Sequence, residues 1–203
     1  MVQLFIDGGG FMWPILLIFI IGFVFVIERL YHLFKGLSSN EDFAYEVAAT
    51  VKQSGIDSAK MKCEGAVGPV ANLYLSALDR ARLGADEAEH ALDHSGSIEM
   101  SSMEKNMTWI SLCIATAPML GFLGTVWGMI QAFNDIKMAN DISPAVVAGG
   151  ISVALLTTAF GFVVAVVLQI FQNAVLYIID NQIVTLQKST TALLHAIKDS
   201  SKK

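Results

Sequence analysis

The chain has 203 residues, of which 54% are hydrophobic and only 15% are charged, and its mean hydropathy of +0.58 exceeds that of an average soluble protein. Its net charge of −5 excludes a basic nucleic-acid-binding surface. Its two cysteines, Cys63 and Cys113, lack the spacing of a CxxC motif or a metal site, so we expect two free thiols and neither metal nor cofactor.

The first apolar run extends from Phe11 to Ile27 and is about long enough to cross a hydrocarbon core of ~30 Å. Asp7 precedes the run and Glu28-Arg29 follows it, whereas a signal peptide has a cationic start and a small-residue cleavage site. We therefore assign residues 1–36 to an N-terminal periplasmic segment and an uncleaved transmembrane helix 1.

Residues 37–108 have the pattern of a cytoplasmic helical segment rather than of a span. Helix starts and stops are indicated at Asn40 and Gly55, at Asp57 and Gly65, and at Pro69 and Gly84. A further helix from Asp86 leads into the second span. If it continues unbroken past Ser95-Gly96, the combined helix reaches ~70 Å, and Gly96 is the weakest point of that continuity.

Two further apolar runs without ionisable side chains predict transmembrane helix 2 at residues 109–133 and transmembrane helix 3 within residues 146–203. Residues 134–145 are predicted to form a short periplasmic loop, in which Ser143 caps a helix that starts at Pro144. The end of the chain is predicted to be an amphipathic cytoplasmic extension, because apolar residues recur there at helical spacing: Ile170, Leu176, Ile179, Ile183, Leu186, Leu193 and Ile197. The predicted fold class is thus an all-α polytopic membrane protein with three transmembrane helices and long cytoplasmic extensions.

The distribution of lysine and arginine predicts the orientation. Only Lys137 lies in the short loop, and the other twelve lie between the first two spans or after the third. Because cytoplasmic segments retain positive charge, we expect the N-terminus to be periplasmic and the C-terminus cytoplasmic.

Each of the last two spans carries a stripe of small residues that includes a hydroxyl: Ala117, Gly121, Thr125, Gly128 and Ala132, and then Gly150, Ala154, Thr157, Gly161 and Ala165. The stripes are compatible with close helix packing in lipid, or with a pore or a partner helix. Both spans lack Asp, Glu, His, Lys and Arg, so a proton-conducting role would require another subunit to bring a carboxylate.

Three motifs resemble those of the MotA/TolQ/ExbB proton-channel family. The run Leu120-Gly121-Phe122-Leu123-Gly124-Thr125-Val126-Trp127-Gly128-Met129-Ile130 is similar to its second-span motif. The run Gly150-Ile151-Ser152-Val153-Ala154-Leu155-Leu156-Thr157-Thr158-Ala159-Phe160-Gly161 is similar to its third-span motif. Gly8-Gly9-Gly10-Phe11-Met12-Trp13-Pro14-Ile15 with Glu28-Arg29 resembles its first span. The resemblance covers all three spans in order.

The resemblance implies a homo-oligomeric ring, pentameric in this family, around a single-span partner of the ExbD/TolR/MotB kind with an intramembrane aspartate. It implies that the ion pathway includes Thr125, Thr158 and Thr157. It further implies that nine residues pack around the partner helix: Ala117, Pro118, Gly121, Gly124, Gly128, Gly150, Ala154, Gly161 and Ala165. Val153 departs from the pattern, because ExbB and TolQ typically carry a glutamate there, and this argues against an iron-uptake or envelope-constriction role.

The function expected from these features is a proton-channel subunit of an inner-membrane motor driven by the proton-motive force, and not an enzyme. A passive helix-packing scaffold is the alternative, and a secondary transporter is disfavoured because there is neither an inverted repeat nor an intramembrane charge. His90 and His94 stand one helical turn apart and could bind a metal, but the neighbouring Glu87, Glu89 and Asp93 favour a solvated acidic face.

Overall fold

The computed structural model describes residues 2–37, 40–66, 68–139 and 144–200. All regular secondary structure within those ranges is α-helical, and three of the helices are long and apolar enough to cross a membrane. The predicted fold class, an all-α polytopic membrane protein, is confirmed. The helices are α1 (Val2–Asp7), α2 (Met12–Leu37), α3 (Asn40–Ser54), α4 (Ile56–Glu64), α5 (Pro69–Arg80), α6 (Ala85–Met103), α7 (Met107–Ala139) and α8 (Pro144–Ser200).

The chain divides into two compact units. The first, called the span unit here, comprises residues 1–29 and 106–175. The second, called the charged unit because it holds most of the charged side chains, comprises residues 30–105 and 176–203. The long helices α2 and α8 each contribute residues to both units.

Apolar side chains form the core of the span unit where α2, α7 and α8 meet. Ile15, Cys113 and Leu168 are buried together there. Gly22 allows α2 to approach closely, because a Cβ atom at this position would lie 2.8 Å from Leu168 Cδ1. The lone glycine in the first apolar run therefore has a packing role that its sequence context did not reveal.

The core of the charged unit consists mostly of aliphatic side chains from α3 to α6 and from the last turns of α8. Leu73, Tyr74 and Leu193 are completely buried in it. Tyr74 donates a hydrogen bond from its hydroxyl to the Ser189 carbonyl O at 2.8 Å, so the one polar atom of this side chain has a partner.

The helix that leads toward the second span continues through Gly96, its weakest point in the sequence, but it is not continuous with the span. α6 passes through Gly96 and ends at Met103, and α7 begins at Met107. Between them, Asn106 adopts a left-handed conformation with φ of 64°, which asparagine tolerates better than most residues. Its Nδ2 also donates to Glu28 Oε2 at 3.0 Å. The conformation of Asn106 and its bond to Glu28, rather than a glycine, mark the break.

The structure also shifts two predicted boundaries. Residues 134–139, predicted to belong to the short loop, continue α7, because this stretch contains neither glycine nor proline. α5 ends at Arg80, before the predicted stop at Gly84. Pro144 is the first residue of α8 as predicted, while the proposed cap Ser143 lies outside the described residues.

The amphipathic pattern after the third span is seen as a direct continuation of α8 to Ser200. Ile179, Leu186 and Leu193 are buried, whereas Ile170 and Leu176 are exposed. The pattern therefore indicates an inward face from Ile179 onward but not at the two earlier positions.

Candidate functional site

The two stripes of small residues contact each other along α7 and α8. A Cβ atom at Gly121 would lie 2.9 Å from the Thr157 carbonyl O, and one at Gly161 would lie 2.7 Å from the Ala117 carbonyl O. Since real Cβ contacts are not this short, the backbones approach each other more closely than any other residue would permit.

The same close contact extends toward the end of α7 and the start of α8. Gly128 lies against Ala154, with a distance of 3.1 Å from a hypothetical Cβ atom to the Ala154 Cβ atom. Gly150 lies against the side chain of Ala132. The order of these pairs shows that the two helices run antiparallel, with Gly121 level with Thr157 and Ala132 level with Gly150.

Three threonine hydroxyls meet at the closest part of this contact, and we call them the threonine cluster. Thr125 Oγ1 and Thr158 Oγ1 form a hydrogen bond with each other across the two helices. Thr158 Oγ1 is 3.1 Å from the Gly121 carbonyl O, and Thr157 Oγ1 is 2.8 Å from the Ala154 carbonyl O. Thr125 Oγ1 is also within reach of both carbonyls, at 3.2 Å and 3.3 Å. Threonine hydroxyls from both helices thus lie within hydrogen-bonding distance of the same two backbone oxygens, those of Gly121 and Ala154.

The protons and lone pairs of the three hydroxyls determine which groups the cluster can bind. Each hydroxyl has one proton to donate and two lone pairs with which to accept. The hydroxyl protons of Thr125, Thr157 and Thr158 are all used on acceptors within the cluster. The remaining capacity is therefore to accept, which suits a cation or a protonated acid.

Burial differs among the three hydroxyl residues. Thr157 is only 1% exposed, whereas Thr125 and Thr158 are half-buried in the isolated chain. Thr157 is therefore enclosed between the two helices, and the other two hydroxyls lie at the edge of the contact. Those two belong to the three threonines that the family resemblance assigned to the ion pathway, and Thr157 is the third.

The structure brings nearly all the predicted site residues together, but it places the small ones between α7 and α8 of the same chain. Ala117, Ala154 and Ala165 are buried. Pro118 is half-buried within α7 and removes one backbone donor from the helix. A role of these residues around a partner helix stays a prediction.

A second polar contact in the span unit was not singled out from the sequence. Gln172 is 8% exposed, and its Nε2 donates to Ser111 Oγ, which links α8 to α7. Gln169 donates to Gln172 Oε1 at 3.3 Å and to Asn173 Oδ1 at 3.0 Å. The amides were visible in the sequence, but their partner on the other helix was not.

The two histidines considered as metal ligands lie in the charged unit, exposed beside Ser76, Asp79 and Arg80. Arg80 contributes positive charge to the same concavity, which disfavours a cation. Among the described residues, no group of three or more His, Cys, Asp or Glu side chains is placed to hold a metal ion.

Burial suppresses the reactivity of the thiol in the charged unit. Desolvation raises the pKa of Cys63 from 9.0 to about 11, against a smaller opposing effect of Lys62. Because the thiolate is the nucleophile, a thiol with this pKa is inert at neutral pH.

The fold and the cluster define a class: an all-α polytopic membrane protein whose second and third apolar helices meet through small residues and threonine hydroxyls. Residues 66–188 match the model of the MotA/TolQ/ExbB proton channel family. Because this match covers more than half of the chain, the protein belongs to the MotA/TolQ/ExbB proton channel family.

Individual relatives agree with this membership. An ExbB homolog of Methanothermobacter thermautotrophicus is 30% identical over 182 residues, which is 89% of this chain and 64% of the relative. An ExbB-like protein of Synechocystis is 26% identical over 186 residues, 90% of this chain and 88% of the relative. The biopolymer transport protein ExbB of Xanthomonas campestris is 37% identical over 78 residues, 38% of this chain and 31% of the relative. The chain spans less than two thirds of the length of the first and third of these relatives.

Proposed function

We propose that this protein is the ring subunit of a proton channel in an inner-membrane motor, which converts the proton-motive force into mechanical work with a partner subunit. The partner has a single span with an intramembrane aspartate, as in ExbD, TolR and MotB. Membership of the proton channel family supports the channel role. The observation that carries the proposal is the convergence of three hydroxyls on two backbone oxygens inside otherwise apolar spans.

The composition of the spans explains why a partner is required. Residues 110–133 and 146–168 contain no Asp, Glu, His, Lys or Arg, so these helices have no group that gains and loses a proton. A carboxylate in hydrocarbon is hard to ionise unless polar groups stabilise it. Half-buried hydroxyls at Thr125 and Thr158 lie at the edge of the helix pair, and either supplies such a group when its proton turns from its partner within the cluster to the carboxylate.

A homo-oligomeric ring, pentameric as in the family, is the assembly that we propose. Large apolar side chains such as Met119, Phe122 and Phe133 are exposed in the isolated chain, so they face lipid or other subunits. Native mass spectrometry of the detergent-solubilised protein is expected to show one dominant multimer. A stable monomer under the same conditions would contradict the ring.

The proposed topology has the N-terminus outside and the C-terminus in the cytoplasm, because most lysines and arginines lie before the second span or after the third. Met138, near the end of α7, is 85% exposed. A cysteine placed there should react with a membrane-impermeant maleimide in intact cells. One placed at Leu83, which is 74% exposed, should react only after lysis. The opposite labelling pattern would invert the topology.

The test of the channel role replaces Thr125 and Thr158 by valine, which keeps the side-chain shape and removes the hydroxyl. Proton uptake is measured in proteoliposomes that contain the ring and its partner. We expect both variants to assemble normally and to lose flux, by roughly tenfold or more if one charge-stabilising hydrogen bond of about 1.5–3 kcal/mol is lost.

Thr116 provides a matched control on the same helix, because its hydroxyl bonds only within its own helix, to the Leu112 carbonyl O. Thr116→Val should keep the wild-type flux. If Thr125→Val and Thr158→Val also keep it, the hydroxyls are packing residues.

A passive helix-packing scaffold is the second candidate function, and one observation favours it. The small stripes contact each other inside one chain, which is what packing alone requires. On this reading Thr→Val changes only stability, by about 0.6 kcal/mol per hydrogen bond in a membrane. Thermal unfolding of the variants, measured beside their flux, separates the two functions.

A further inference from the structure

A cavity of about 340 Å³ lies in the span unit beside the threonine cluster. Residues 8–11 and Pro14, around the start of α2, line one side of it. α7 contributes Gly124, Trp127 and Gln131 among its lining residues, and α8 contributes Thr157. Neither the packing of the stripes nor the hydrogen bonds of the cluster accounts for this space.

The cavity has a defined direction along the helix pair. Gly124 and Gln131 are seven residues apart on α7, so the cavity extends about 10 Å along the helix axis. At one end lies Thr157, because a Cβ atom at Gly124 would be 2.7 Å from Thr157 Oγ1. The other end, at Gln131, points toward the end of α7 near Ala139, which the proposed topology places outside the cytoplasm.

The size of the cavity and the polar groups at its two ends favour water as its content, while Phe11, Trp127 and Val153 make much of the remaining lining apolar. Each water takes about 30 Å³ of liquid volume, so the cavity has room for roughly ten molecules. Polar groups are present at both ends, the exposed amide of Gln131 and the hydroxyl of Thr157. Along the side, three consecutive glycines at residues 8–10 contribute backbone without side chains. The Gly8 and Gly9 amides donate to the Leu4 and Ile6 carbonyls, so carbonyl oxygens, each with two lone pairs, are the partners that this segment offers to water. Buried water needs such partners, which an acyl chain cannot use.

The threonine cluster continues the polar route from the inner end of the cavity. Thr157 Oγ1 lies 3.4 Å from the Gly121 carbonyl O, the same oxygen that accepts from Thr158. Thr158 in turn is hydrogen-bonded to Thr125. The hydroxyls of Thr157, Thr158 and Thr125 are therefore linked by shared hydrogen-bond partners. Together they lead from the closed end of the cavity to the half-buried edge of the helix pair.

We propose that this cavity is a hydrated vestibule within each subunit, through which protons pass from the outer face to Thr157 and then to the Thr125–Thr158 pair. The inference rests on the proposed channel function and names the entry route for it. Gly9 and Gly10 are then part of the route. Both line the cavity, and a Cβ atom at Gly9 would lie 3.4 Å from Val153 Cγ1, another lining residue, whereas one at Gly8 would meet Met12.

Water in the vestibule is tested by cysteine reactivity. Gly10 is the position of choice, since a Cβ atom there meets nothing within 4 Å. In a chain with Cys63→Ala and Cys113→Ala, Gly10→Cys should react with a charged methanethiosulfonate reagent added to intact cells. Gln131→Cys should react too, and serves if the first variant folds poorly. Met119→Cys, at an exposed position of α7 that faces lipid or another subunit, is the control for an apolar environment and should react at least roughly tenfold more slowly, because a thiolate is disfavoured in an apolar medium.

Obstruction of the vestibule is tested by proton flux in proteoliposomes with the partner. Gly10→Trp, and Gly10→Cys after modification, should reduce flux at least roughly tenfold, because the bulky side chain displaces water from the path. Gly149→Trp is the matched control, since its Cβ atom also meets nothing within 4 Å and it does not line the cavity.

The outcomes separate this inference from the channel function. If Gly10→Cys and Gln131→Cys react with a lipophilic maleimide but not with the charged methanethiosulfonate reagent, the cavity contains an acyl chain. That result would overturn the vestibule. Wild-type flux through an obstructed but hydrated cavity would also overturn it, while the channel function stands. Absence of flux in the wild-type ring would instead remove the channel function, and the hydration result would remain readable without it.

Discussion

The two units of this protein are packed by different physical means. In the span unit, glycine and alanine bring backbones together, so that Gly121 and Gly161 each face a carbonyl oxygen of the opposite helix. In the charged unit, large side chains such as Leu73 and Leu193 fill the space between helices. Lipid tails are as apolar as leucine, so burial of leucine gives little driving force between spans, whereas in water it dominates.

The polar contacts of the two units differ in the same way. The span unit concentrates hydroxyls and backbone oxygens in one place. The charged unit spreads its ion pairs over the surface, for example Lys198 with Glu89 at 3.0 Å and Lys60 with Asp79 at 2.5 Å. The hydrogen bond from Lys60 to Asp79 raises the pKa of the lysine. Exposed pairs of this kind contribute little to stability, so the charged unit depends on its apolar core.

The strongest test of this contrast is a bulky residue in the glycine stripe. Gly121→Leu should separate α7 from α8, because its Cβ atom alone would lie 2.9 Å from the Thr157 carbonyl O, and the ring should fail to assemble. Size-exclusion chromatography in detergent measures this. Gly149→Leu, with open space at its Cβ position, should assemble normally, and equal behaviour of the two variants would contradict close backbone packing.

Removal of a large side chain should damage the charged unit instead. Leu193→Ala leaves a cavity in its core and should lower the local free energy of unfolding by about 2–5 kcal/mol. Hydrogen exchange should accelerate in residues 70–92, where the core partners lie, with residues 110–133 keeping their protection. Leu83→Ala, at an exposed position, is the control. Uniform acceleration over the whole chain would show that the units do not unfold separately.

A smaller effect is expected from pH through Cys63. Because burial raises the pKa of this thiol to about 11, the folded state holds its proton at pH values where the unfolded state loses it. Stability should therefore fall as pH rises from about 9 toward 11, by on the order of 1 kcal/mol. The stability of Cys63→Ala, measured by chemical unfolding, should not show this fall between about pH 9 and 11. An identical pH dependence of variant and wild type would place the thiol in contact with water.

The smallest expected effect concerns the Tyr74 hydroxyl, which lies in the core of the charged unit. Tyr74→Phe removes the hydrogen bond to the Ser189 carbonyl O and keeps the ring in place, so we expect a loss of about 0.5–1.5 kcal/mol. Hydrogen exchange of residues 70–92 again measures it. A loss as large as that of Leu193→Ala would mean that the charged unit depends on polar contacts as much as the span unit does.

Much of the fold follows from sequence patterns that are local. Apolar runs free of charge predict the long helices in α2, α7 and α8, and Pro69 marks the first residue of α5. The helix break at residues 104–106 was not predicted, because it depends on a bond between Asn106 and Glu28, which are 78 residues apart. Gly96 is a poor helix former and yet lies inside α6, where a Cβ atom would be 3.7 Å from Leu73 Cδ1.

The features of the candidate site also fall into those that sequence patterns predict and those that depend on tertiary packing. The sequence by itself determined that Thr125, Thr157 and Thr158 lie on helices rich in small residues, and that residues 110–133 and 146–168 contain no Asp, Glu, His, Lys or Arg. Only the tertiary structure decided which stripe faces which, that three hydroxyls share the Gly121 and Ala154 carbonyls, and that a cavity opens beside them. Helical periodicity fixes the face on which a side chain lies, because it is a property of one helix. The axial register of two helices depends on the fit of both surfaces, and no pattern within either one contains it.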